Sequence, residues 1–373
     1  MDFAFSAEQE MLRDTARRFL VDKADSAVVR ELMESETGFD DGLWEDIANQ
    51  GWLAMHIPEA DGGAGFSYLE LIVLMEEMGA ALFPSPFFST VVLGANAILV
   101  AGSQELRKGL LPEVAAGERR LALAQLEESG RWDESGVEMQ AVADGDDFIL
   151  SGTKMYVVDG HTAHSLVVAA RTPAGVSLFV VDGAADGVTR SRLETMDMTR
   201  KQAQVNFDGV RVPSSSMVGA DGSGWDTLTK VTDLASAALA AECVGGAQRC
   251  LDMSVEYAKV RVQFGRPIGS FQAVKHKCAD MLVQLESARS AAYYAGWAAS
   301  EDNDELGVVA PLAKSYCSEA YFFCASENIQ IHGGIGFTWE HDAHLYFKRA
   351  KSSELLLGTP AHHRSLLADR LGL

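Results

Sequence analysis

Residues 261–272 read Arg-Val-Gln-Phe-Gly-Arg-Pro-Ile-Gly-Ser-Phe-Gln, and this stretch decides how the fold is interpreted. A helical pattern of apolar and charged residues stops at Phe264, an extended Arg-Pro dipeptide follows, and a new amphipathic helix begins near Ser270. Glycine and proline end one helix here and set the direction of the next. We therefore expect a loop that points Arg261 and Arg266 outward, where their guanidinium groups suit a phosphate or pyrophosphate.

Residues 330–337, Gln-Ile-His-Gly-Gly-Ile-Gly-Phe, provide the other half of such a site. Their three glycines let backbone amides approach a bulky ligand without interference from a Cβ atom. Each stretch alone has an ordinary explanation, since a double glycine after a helix is commonly a C-cap and an exposed arginine is commonly a solvated charge. The prediction of a ligand site depends on the two stretches occurring together.

The pair of stretches resembles the acyl-CoA dehydrogenase superfamily, flavoenzymes that oxidise the Cα–Cβ bond of an acyl-CoA thioester. The pattern Arg-x-x-Phe-Gly-x-Pro-Ile-x-x-Phe-Gln is followed about sixty residues later by Gln-x-x-Gly-Gly-x-Gly-Phe. The resemblance continues through Pro-Glu-Ala-Asp-Gly-Gly-Ala-Gly at 58–65 and Glu-Glu-Met-Gly at 76–79. It therefore covers nearly the whole chain.

The periodicity of apolar residues divides the chain into three predicted domains. Residues 1–119 read as helices, with a capping box at Ser6 and Gln9 that starts the first of them. Residues 120–225 alternate between apolar and polar positions, which predicts a small antiparallel β-domain. Residues 226–373 have long helices that are apolar on one face, as in a four-helix bundle with a terminal segment across it. The predicted fold is α+β and acyl-CoA dehydrogenase-like.

Individual elements follow from the same patterns. Helices are predicted at 7–22, 43–50, 67–78, 87–101, 226–259, 271–300, 307–331 and 345–355. Strands are predicted at 121–126, 140–142, 148–151, 166–170, 177–181, 188–193 and 202–207. Residues 79–102 carry no charge, but prolines interrupt them, so we expect a buried helix and no membrane span.

The chain is strongly acidic, with 31 basic and 53 acidic residues and a formal net charge of −22. This balance opposes binding to nucleic acid or to anionic lipid. A CoA ester is itself an anion, so its site needs local positive potential, for which the candidates are Lys275, Lys277, Lys348, Arg349 and Lys351. The five cysteines contain no C-x-x-C pair, which is typical of a reducing cytoplasm without disulfides or zinc. The histidine pairs 341/344 and 362/363 lack further ligands, so no metal site is expected.

The resemblance also locates the catalytic base, and here the chain departs from the family. Acyl-CoA desaturation needs a carboxylate that removes a proton from Cα, and family members place a glutamate at one of two positions. The matching residues in this chain are Leu357 and Ala235, and neither side chain can accept a proton. Two weaker candidates are Glu354, expected one turn before Leu357 on the same helix face, and Glu242, seven residues after Ala235. A structural role is the expected one for both glutamates.

The resemblance implies FAD as the cofactor, and the chain matches only half of the flavin site. The residues that hold the ADP side in the family, across a subunit interface, are matched by Arg261, Phe264, Gln272, Gln330, Gly333 and Gly334, with Thr359 as a further candidate. The residues that hold the ring are not matched, because 125–128 read Gln-Leu-Glu-Glu and 154–158 read Lys-Met-Tyr-Val-Val. Val158 stands where a hydroxyl normally meets the flavin edge, and valine has no hydrogen to donate.

Three hypotheses remain open. The first is a subunit of an FAD-dependent acyl-CoA dehydrogenase that needs a base-bearing homologous partner, as in the non-catalytic subunits of actinobacterial α2β2 enzymes acting on steroid side-chain CoA esters. The second is a self-sufficient homotetramer with a relocated carboxylate, and the third is a flavin-free acyl-CoA-binding or scaffold homologue. The resemblance implies an acyl-CoA substrate in fatty-acid or steroid side-chain β-oxidation, electron-transfer flavoprotein as the acceptor, and a cytoplasmic protein.

Overall fold

The fold is α+β, and the computed structural model describes residues 6–373. The helices of this range are α1 Ala7–Lys23, α2 Ser26–Glu34, α3 Asp41–Asn49, α4 Tyr68–Ala81, α5 Asn96–Ala101, α6 Gln104–Ala115, α7 Gly224–Val260, α8 Gln272–Ser300, α9 Leu306–His332, α10 Ala343–Leu355 and α11 Pro360–Leu371. Its strands are β1 Leu121–Ala124, β2 Gln140–Asp144, β3 Asp147–Val158, β4 Ser165–Thr172, β5 Gly175–Asp182, β6 Val188–Arg192, β7 Gln202–Pro213, β8 Met217–Val218, β9 Val262–Gln263 and β10 Arg266–Pro267.

The start of α1 confirms the predicted capping box. The Ser6 hydroxyl accepts from the Gln9 backbone N–H at 3.2 Å, and the Gln9 side-chain oxygen accepts from the Ser6 backbone N–H at 2.9 Å. These two bonds satisfy backbone donors that a helix start leaves without partners. No helix was predicted over 26–34 or 104–115, where α2 and α6 occur.

Contacts between residues divide the described chain into two compact units. The first unit comprises residues 6–31, 68–83 and 236–373, and the second comprises 32–67 and 84–235. These units are not the three predicted domains, because each contains part of the N-terminal helical region. The three-domain division at 119/120 and 225/226 therefore stays a prediction.

In the first unit α8, α10 and α11 all pack on α9, and α4 packs on α1 and α8. Two glycines allow the backbones of α4 and α7 to touch. A Cβ atom on Gly245 would lie 1.8 Å from the Glu76 carbonyl oxygen, and one on Gly79 would lie 2.1 Å from the Glu242 carbonyl oxygen. The sequence Glu-Glu-Met-Gly at 76–79 therefore marks a close helix crossing.

The second unit contains the large sheet, with strand order β6-β7-β3-β2-β4-β5-β8 and β1 beside β4. Most pairs are antiparallel, as predicted, but β1 and β2 both pair with β4 in parallel. The prediction of a purely antiparallel sheet was therefore wrong in this part. The cause is the long connection after β1, which replaces a hairpin and lets β1 join the sheet beside a later strand.

Strands β3 and β7 are both longer than predicted. They pair along their lengths, with irregularities between Leu150 and Gly152 and between Lys154 and Val157. Such bulges shift the side chains that face the core, so the alternation of the sequence is broken and its periodicity underestimates the strand. The core on this sheet is apolar throughout and includes Leu150, Leu166, Phe179, Val205 and Phe207.

The uncharged segment is buried, as predicted. It contains a π-helical stretch, Phe88–Ala95, that continues directly into α5, so the predicted helix is present but is not regular along its length. Within residues 6–373, no helix is long and apolar enough to cross a membrane.

Candidate functional site

The stretch 261–272 forms a tight hairpin in the first unit. Strands β9 and β10 pair antiparallel, and the Ile268 backbone N–H donates to the Arg261 carbonyl at 2.8 Å. Phe264 and Gly265, the two residues of the turn, have φ of 53° and 78°. Positive φ at both positions is the type I′ geometry that suits the twist of a hairpin. The Phe264 side chain is 91 % exposed at the tip.

The two arginines of the hairpin are exposed, as predicted, but differ in their contacts. Arg261 forms no ion pair with any residue of the described chain, although the charge of the whole protein is strongly negative. Arg266 lies with its guanidinium carbon 4.1 Å from the centre of the Phe271 ring, a cation–π contact. Arg261 is therefore the guanidinium of this loop that remains available to an anion.

The second stretch follows α9, which ends at His332. Gly333 has φ of 64°, a conformation that residues with a Cβ atom rarely adopt. A Cβ atom on Gly333 or Gly334 would meet nothing within 4 Å, whereas one on Gly336 would contact His332 and Ile329. Internal packing therefore explains the third glycine of the motif but leaves open space around the first two.

The structure brings these two stretches together in the first unit. The ring of Tyr257, near the end of α7, stacks on the ring of His332 with a centroid distance of 4.3 Å and an interplanar angle of 25°. Arg261 follows Tyr257 by one helical turn and donates its backbone N–H to the Tyr257 carbonyl at 2.9 Å. Gln272 and Gln330 are both exposed. The Tyr257–His332 contact therefore joins the helix end before the first stretch to the helix end within the second, and that the ADP-side residues form one site stays a prediction.

Thr359 has a structural role that the sequence analysis did not assign. Its hydroxyl accepts from the His362 backbone N–H at 3.2 Å and caps the N-terminus of α11. A threonine before proline at the first helical position is a typical start of a helix. Its predicted contribution to a cofactor site stays a prediction.

The two segments predicted to flank a flavin ring lie together in the second unit. The Met155 backbone N–H donates to the Leu126 carbonyl at 2.9 Å, and the Lys154 ammonium donates to the Glu127 carboxylate at 2.7 Å. Burial lowers the pKa of Lys154 to about 8, although Glu127 acts in the opposite direction. Val158 at the end of β3 is buried and offers no hydrogen-bonding group. These two contacts connect the segments, and the side chain at position 158 has no hydroxyl group.

Neither position matched to a catalytic base lies on a polar surface. Ala235 and Leu357 are both buried. Helix α10 ends at Leu355 and Leu356 is extended, so the expectation that Glu354 and Leu357 share a helix face was wrong. The Glu354 carboxylate accepts from the Lys351 ammonium at 2.9 Å.

Glu242 is engaged as well, because its carboxylate lies 2.7 Å from the Arg349 guanidinium. Arg349 was one of the cations proposed for a CoA ester, and that prediction was wrong because the side chain is buried in this ion pair. A charge that deep in the protein needs a counter-charge, and helix periodicity alone does not reveal which one it has.

A pair of buried side chains that sequence reasoning missed holds the segment after α10. The Lys314 ammonium donates to the Glu354 and Gly358 carbonyls, both at 3.2 Å, and His363 Nε2 lies 2.9 Å from the Leu357 carbonyl. Burial lowers the pKa of Lys314 to about 8 and that of His363 to about 3. The only sequence signal was that Lys314 directly follows the apolar run 306–313 within a predicted helix.

The Glu76 carboxylate is the centre of a buried network in the first unit. It accepts from the Tyr293 hydroxyl at 2.6 Å and is paired with Arg13 and Arg289. The network lies beside a cavity of about 710 Å³. None of the predicted site residues lines this cavity, so the network explains the Glu-Glu motif as a structural one.

Metal and disulfide chemistry find no support among residues 6–373. No group of three or more histidine, cysteine, aspartate or glutamate side chains in that range could hold a metal ion. The cysteines are free thiols, and burial raises the pKa of Cys250, Cys317 and Cys324.

The sequence matches three domain families along its length. Residues 6–118 match the acyl-CoA dehydrogenase N-terminal domain, 122–210 the middle domain and 222–372 the C-terminal domain. A similar protein is acyl-CoA dehydrogenase IpdE2 of Mycolicibacterium smegmatis, which is 36 % identical over 95 % of this chain and 96 % of its own length.

Two solved structures are similar to this chain over its full length. Butyryl-CoA dehydrogenase from Megasphaera elsdenii is 27 % identical with a TM-score of 0.93, and each chain is covered completely. A chain of the ChsE4–ChsE5 complex from Mycobacterium tuberculosis is 30 % identical with a TM-score of 0.92, over 100 % of this chain and 99 % of that one. The protein belongs to the acyl-CoA dehydrogenase family.

Proposed function

We propose that this chain is a subunit of an FAD-dependent acyl-CoA dehydrogenase whose catalytic base is supplied by a homologous partner subunit. The proposal depends on the side chains at the two positions where family members place the catalytic glutamate. Leu357 and Ala235 are buried hydrocarbon, and the two weaker candidates, Glu242 and Glu354, are each bound to a cation. The family's reaction is the FAD-dependent dehydrogenation of acyl-CoA, so a chain without a free base needs one from elsewhere.

The residues of the first unit fit the ADP side of FAD. The exposed Arg261 guanidinium suits the pyrophosphate, and the open space over Gly333 and Gly334 allows backbone amides to approach it. Because these groups are exposed at the surface of the chain, they are proposed to hold the FAD of a neighbouring subunit. When bound, FAD supplies the hydride acceptor for the substrate's Cβ atom.

The residues of the second unit fit the flavin ring less well. The hydroxyl expected near the ring edge is replaced by the buried isopropyl group of Val158. The Lys154–Glu127 pair instead fixes the local backbone. This chain keeps the groups that fit the ADP part of FAD, but it lacks a hydrogen-bond donor for the flavin ring. Its proposed role is therefore to complete the flavin site of its partner subunit.

The assembly is proposed to be α2β2, with an acyl-CoA substrate and electron-transfer flavoprotein as the electron acceptor. The similar ChsE4–ChsE5 structure is a complex of two differently named proteins, which supports a heteromeric arrangement. Large exposed apolar side chains on the first unit, such as Val262, Phe264 and Phe337, are typical of a surface that another subunit covers. Fatty acids and steroid side chains are the proposed substrate classes.

Co-expression tests the proposal directly. The chain is purified alone and with a homologue from the same organism that carries glutamate at a base position, and flavin absorbance is measured for both. We expect little flavin from the single chain, and a yellow complex that bleaches anaerobically with an acyl-CoA. A single chain that binds one flavin and reduces it would instead support the self-sufficient enzyme. A complex that forms without flavin would support the scaffold hypothesis.

A further inference from the structure

The first unit contains a cavity of about 710 Å³, a volume within the range of small-molecule sites, about 300–1,000 Å³. Helices α1, α4, α7 and α10 provide most of its lining, and every lining residue belongs to this unit. The buried part of the lining includes the aliphatic side chains of Leu20, Ala24, Val29, Leu82 and Leu345. The cavity therefore presents an apolar wall on which an aliphatic group can pack.

Most of the charged side chains in the lining are neutralised by ion pairs within the unit. The pairs are Glu76 with Arg13 and Arg289, Glu77 with Arg17, and Asp342 with Arg30. Because each of these carboxylates has a guanidinium partner, the pairs do not give the cavity a strong preference for either sign of charge. The charged lining residues outside the pairs are Asp25, Arg249 and Asp252.

Arg249 and Asp252 lie about one helical turn apart on α7, and neither forms an ion pair with any side chain of residues 6–373. Side chains of opposite charge at this spacing often pair with each other on a helix. Here the guanidinium and the carboxylate both line the cavity without such a pair, so both charges are available to a ligand. Asp25 differs, because its carboxylate accepts from the Val28 backbone N–H at 3.0 Å at the start of α2.

The Asp252 carboxylate is held in place by its neighbour on α7. The Gln248 side-chain amide donates to it at 2.8 Å, and the amide oxygen of Gln248 accepts from the Arg289 guanidinium at 2.7 Å. Arg289 is in turn paired with Glu76. Asp252 is therefore connected to the buried network and keeps a second carboxylate oxygen for a ligand.

The Arg249 guanidinium lies beside the Tyr346 hydroxyl. Burial raises the pKa of Tyr346, and Arg249 opposes this shift through its positive charge and a side-chain hydrogen bond. The same hydroxyl donates to the Ala80 carbonyl at 2.6 Å, which ties it to the end of α4. The cation of the cavity therefore has a defined neighbour, and the planar guanidinium retains further donors.

We propose that this cavity binds a zwitterion that carries a carboxylate and an ammonium group on one carbon atom together with an aliphatic body, as in an aliphatic α-amino acid. The ligand carboxylate binds the Arg249 guanidinium, whose fork of donors matches a carboxylate. The ligand ammonium group binds Asp252, and the aliphatic body packs against the apolar wall. A simple anion meets the unpaired carboxylates of the lining, and a simple cation meets the guanidinium, so neither satisfies both charges. This site is independent of the proposed function.

Calorimetry with the purified full chain tests the ligand class. The probe is 2-aminooctanoate, and three analogues each lack one of its features: octanoate lacks the ammonium group, octylamine lacks the carboxylate, and glycine lacks the aliphatic body. We expect the probe to bind and each analogue to bind at least tenfold more weakly, because a hydrogen bond to a charged group is equivalent to roughly 10–150-fold in affinity and apolar burial adds to binding. An analogue that binds as tightly as the probe overturns the proposal, and so does a chain that does not bind the probe at millimolar concentration.

Two conservative variants locate the site. Arg249→Gln and Asp252→Asn should each raise the dissociation constant of 2-aminooctanoate at least tenfold. Octylamine has no carboxylate, so its weaker binding should be no worse in Arg249→Gln than in the wild type. Loss of octylamine binding in Arg249→Gln would indicate a disrupted cavity in place of a lost carboxylate contact, and it would overturn the assigned role of Arg249.

Arg18→Gln and Glu256→Gln are the matched controls. Both residues are exposed in the same unit, neither has an ion pair within residues 6–373, and neither lines the cavity. Affinity for the probe should be normal in these variants. Equal losses in the controls would show that net charge determines binding, and they would overturn the proposal.

A competition experiment separates this cavity from the acyl-CoA site. Binding of 2-aminooctanoate should persist with saturating octanoyl-CoA, because none of the residues predicted for FAD or acyl-CoA lines the cavity. Displacement of the probe by octanoyl-CoA would place it in the acyl-CoA site and overturn the proposal. A chain that binds the probe, but whose complexes never reduce flavin with an acyl-CoA, would overturn the proposed function alone.

Discussion

The Glu242 carboxylate and the Arg349 guanidinium form an ion pair at 2.7 Å, and both side chains are only 4 % exposed. The pair joins α7 to α10 within the first unit. Taking two charges out of water costs several kcal/mol each, and their attraction offsets that cost only while both are present. The ion pair with Arg349 therefore explains why Glu242 is buried, and this explanation does not require Glu242 to transfer a proton.

Glu242→Gln is expected to lower the free energy of unfolding by about 3–5 kcal/mol, because it removes the negative charge that lies 2.7 Å from the buried Arg349 guanidinium. Urea denaturation measures the loss, and the double variant Glu242→Gln, Arg349→Met should recover a large part of it. Glu354→Gln is the control, since its pair with Lys351 is more exposed and contributes about 0–1 kcal/mol. A Glu242→Gln protein of normal stability that has lost flavin bleaching would identify Glu242 as a base.

Arg261→Ala is expected to weaken FAD binding by the complex and to leave the fold intact. A hydrogen bond to a charged group contributes about 1.5–3 kcal/mol, which corresponds to an increase in the dissociation constant of roughly 10–150-fold. Because the side chain is exposed and unpaired among the described residues, the melting temperature should change little.

Arg364→Ala is the matched variant for this experiment. Arg364 is exposed on α11 in the same unit, but it is paired with Glu319 at 2.8 Å. Flavin retention should be normal in this variant. Equal flavin loss in both variants would indicate that net charge, and not a specific contact of Arg261, controls FAD binding.

The two buried lysines predict a rise in stability at alkaline pH. Burial lowers the pKa of Lys154 and of Lys314 from the ordinary 10.5 to about 8. Between these values the unfolded chain binds more protons than the folded chain, so the free energy of unfolding increases with pH. Each lysine contributes up to about 1.4 kcal/mol per pH unit in that window.

Lys314→Met isolates this contribution. The difference in unfolding free energy between wild type and variant, measured by urea denaturation at pH 8 and pH 10, should grow in favour of the wild type. Lys154→Met provides an independent measurement in the second unit. A difference that is flat across the window for both lysines would mean that neither is titrating there.

The start of α1 could be read from the sequence because Ser6 and Gln9 specify its cap within a few residues. At 261–272 the sequence predicted a loop between two helices, but it did not predict that the loop pairs as a β-hairpin. Long amphipathic helices and short alternating strands are equally local signals, and these gave the α+β fold. The family resemblance then supplied the chemistry that periodicity cannot.

What the sequence could not predict depends on contacts between distant residues or on backbone strain. The partners of Glu242 and Lys314 lie 107 and 40–44 residues away, and no spacing rule connects them. Leu357 has φ of 63°, a conformation that leucine rarely adopts and that no local pattern in the sequence indicates. The parallel pairing of β1 with β4 likewise arises from a long connection.

Two buried histidines predict a loss of stability in acid. Burial lowers the pKa of His56 to about 4 and that of His363 to about 3, from an ordinary value of 6.5. As the pH falls below 6.5, the unfolded chain takes up a proton that the folded chain does not, so the folded state loses up to about 1.4 kcal/mol per pH unit for each histidine. His56→Gln should therefore flatten the dependence of the unfolding free energy between pH 6.5 and 4.5, measured by urea denaturation.

His276→Gln is the control for these histidine variants, because His276 is exposed on α8 and its loss removes a histidine that lies outside the core. His363→Gln should flatten the same window, and it should also loosen the segment after α10 because the Leu357 carbonyl loses its imidazole contact at 2.9 Å. Amide exchange at Gly358 distinguishes the two buried sites, since it should accelerate in His363→Gln and stay unchanged in His56→Gln. If the acid sensitivity of both variants matches that of the wild type, the histidines are protonated in the folded protein and their burial does not control its stability.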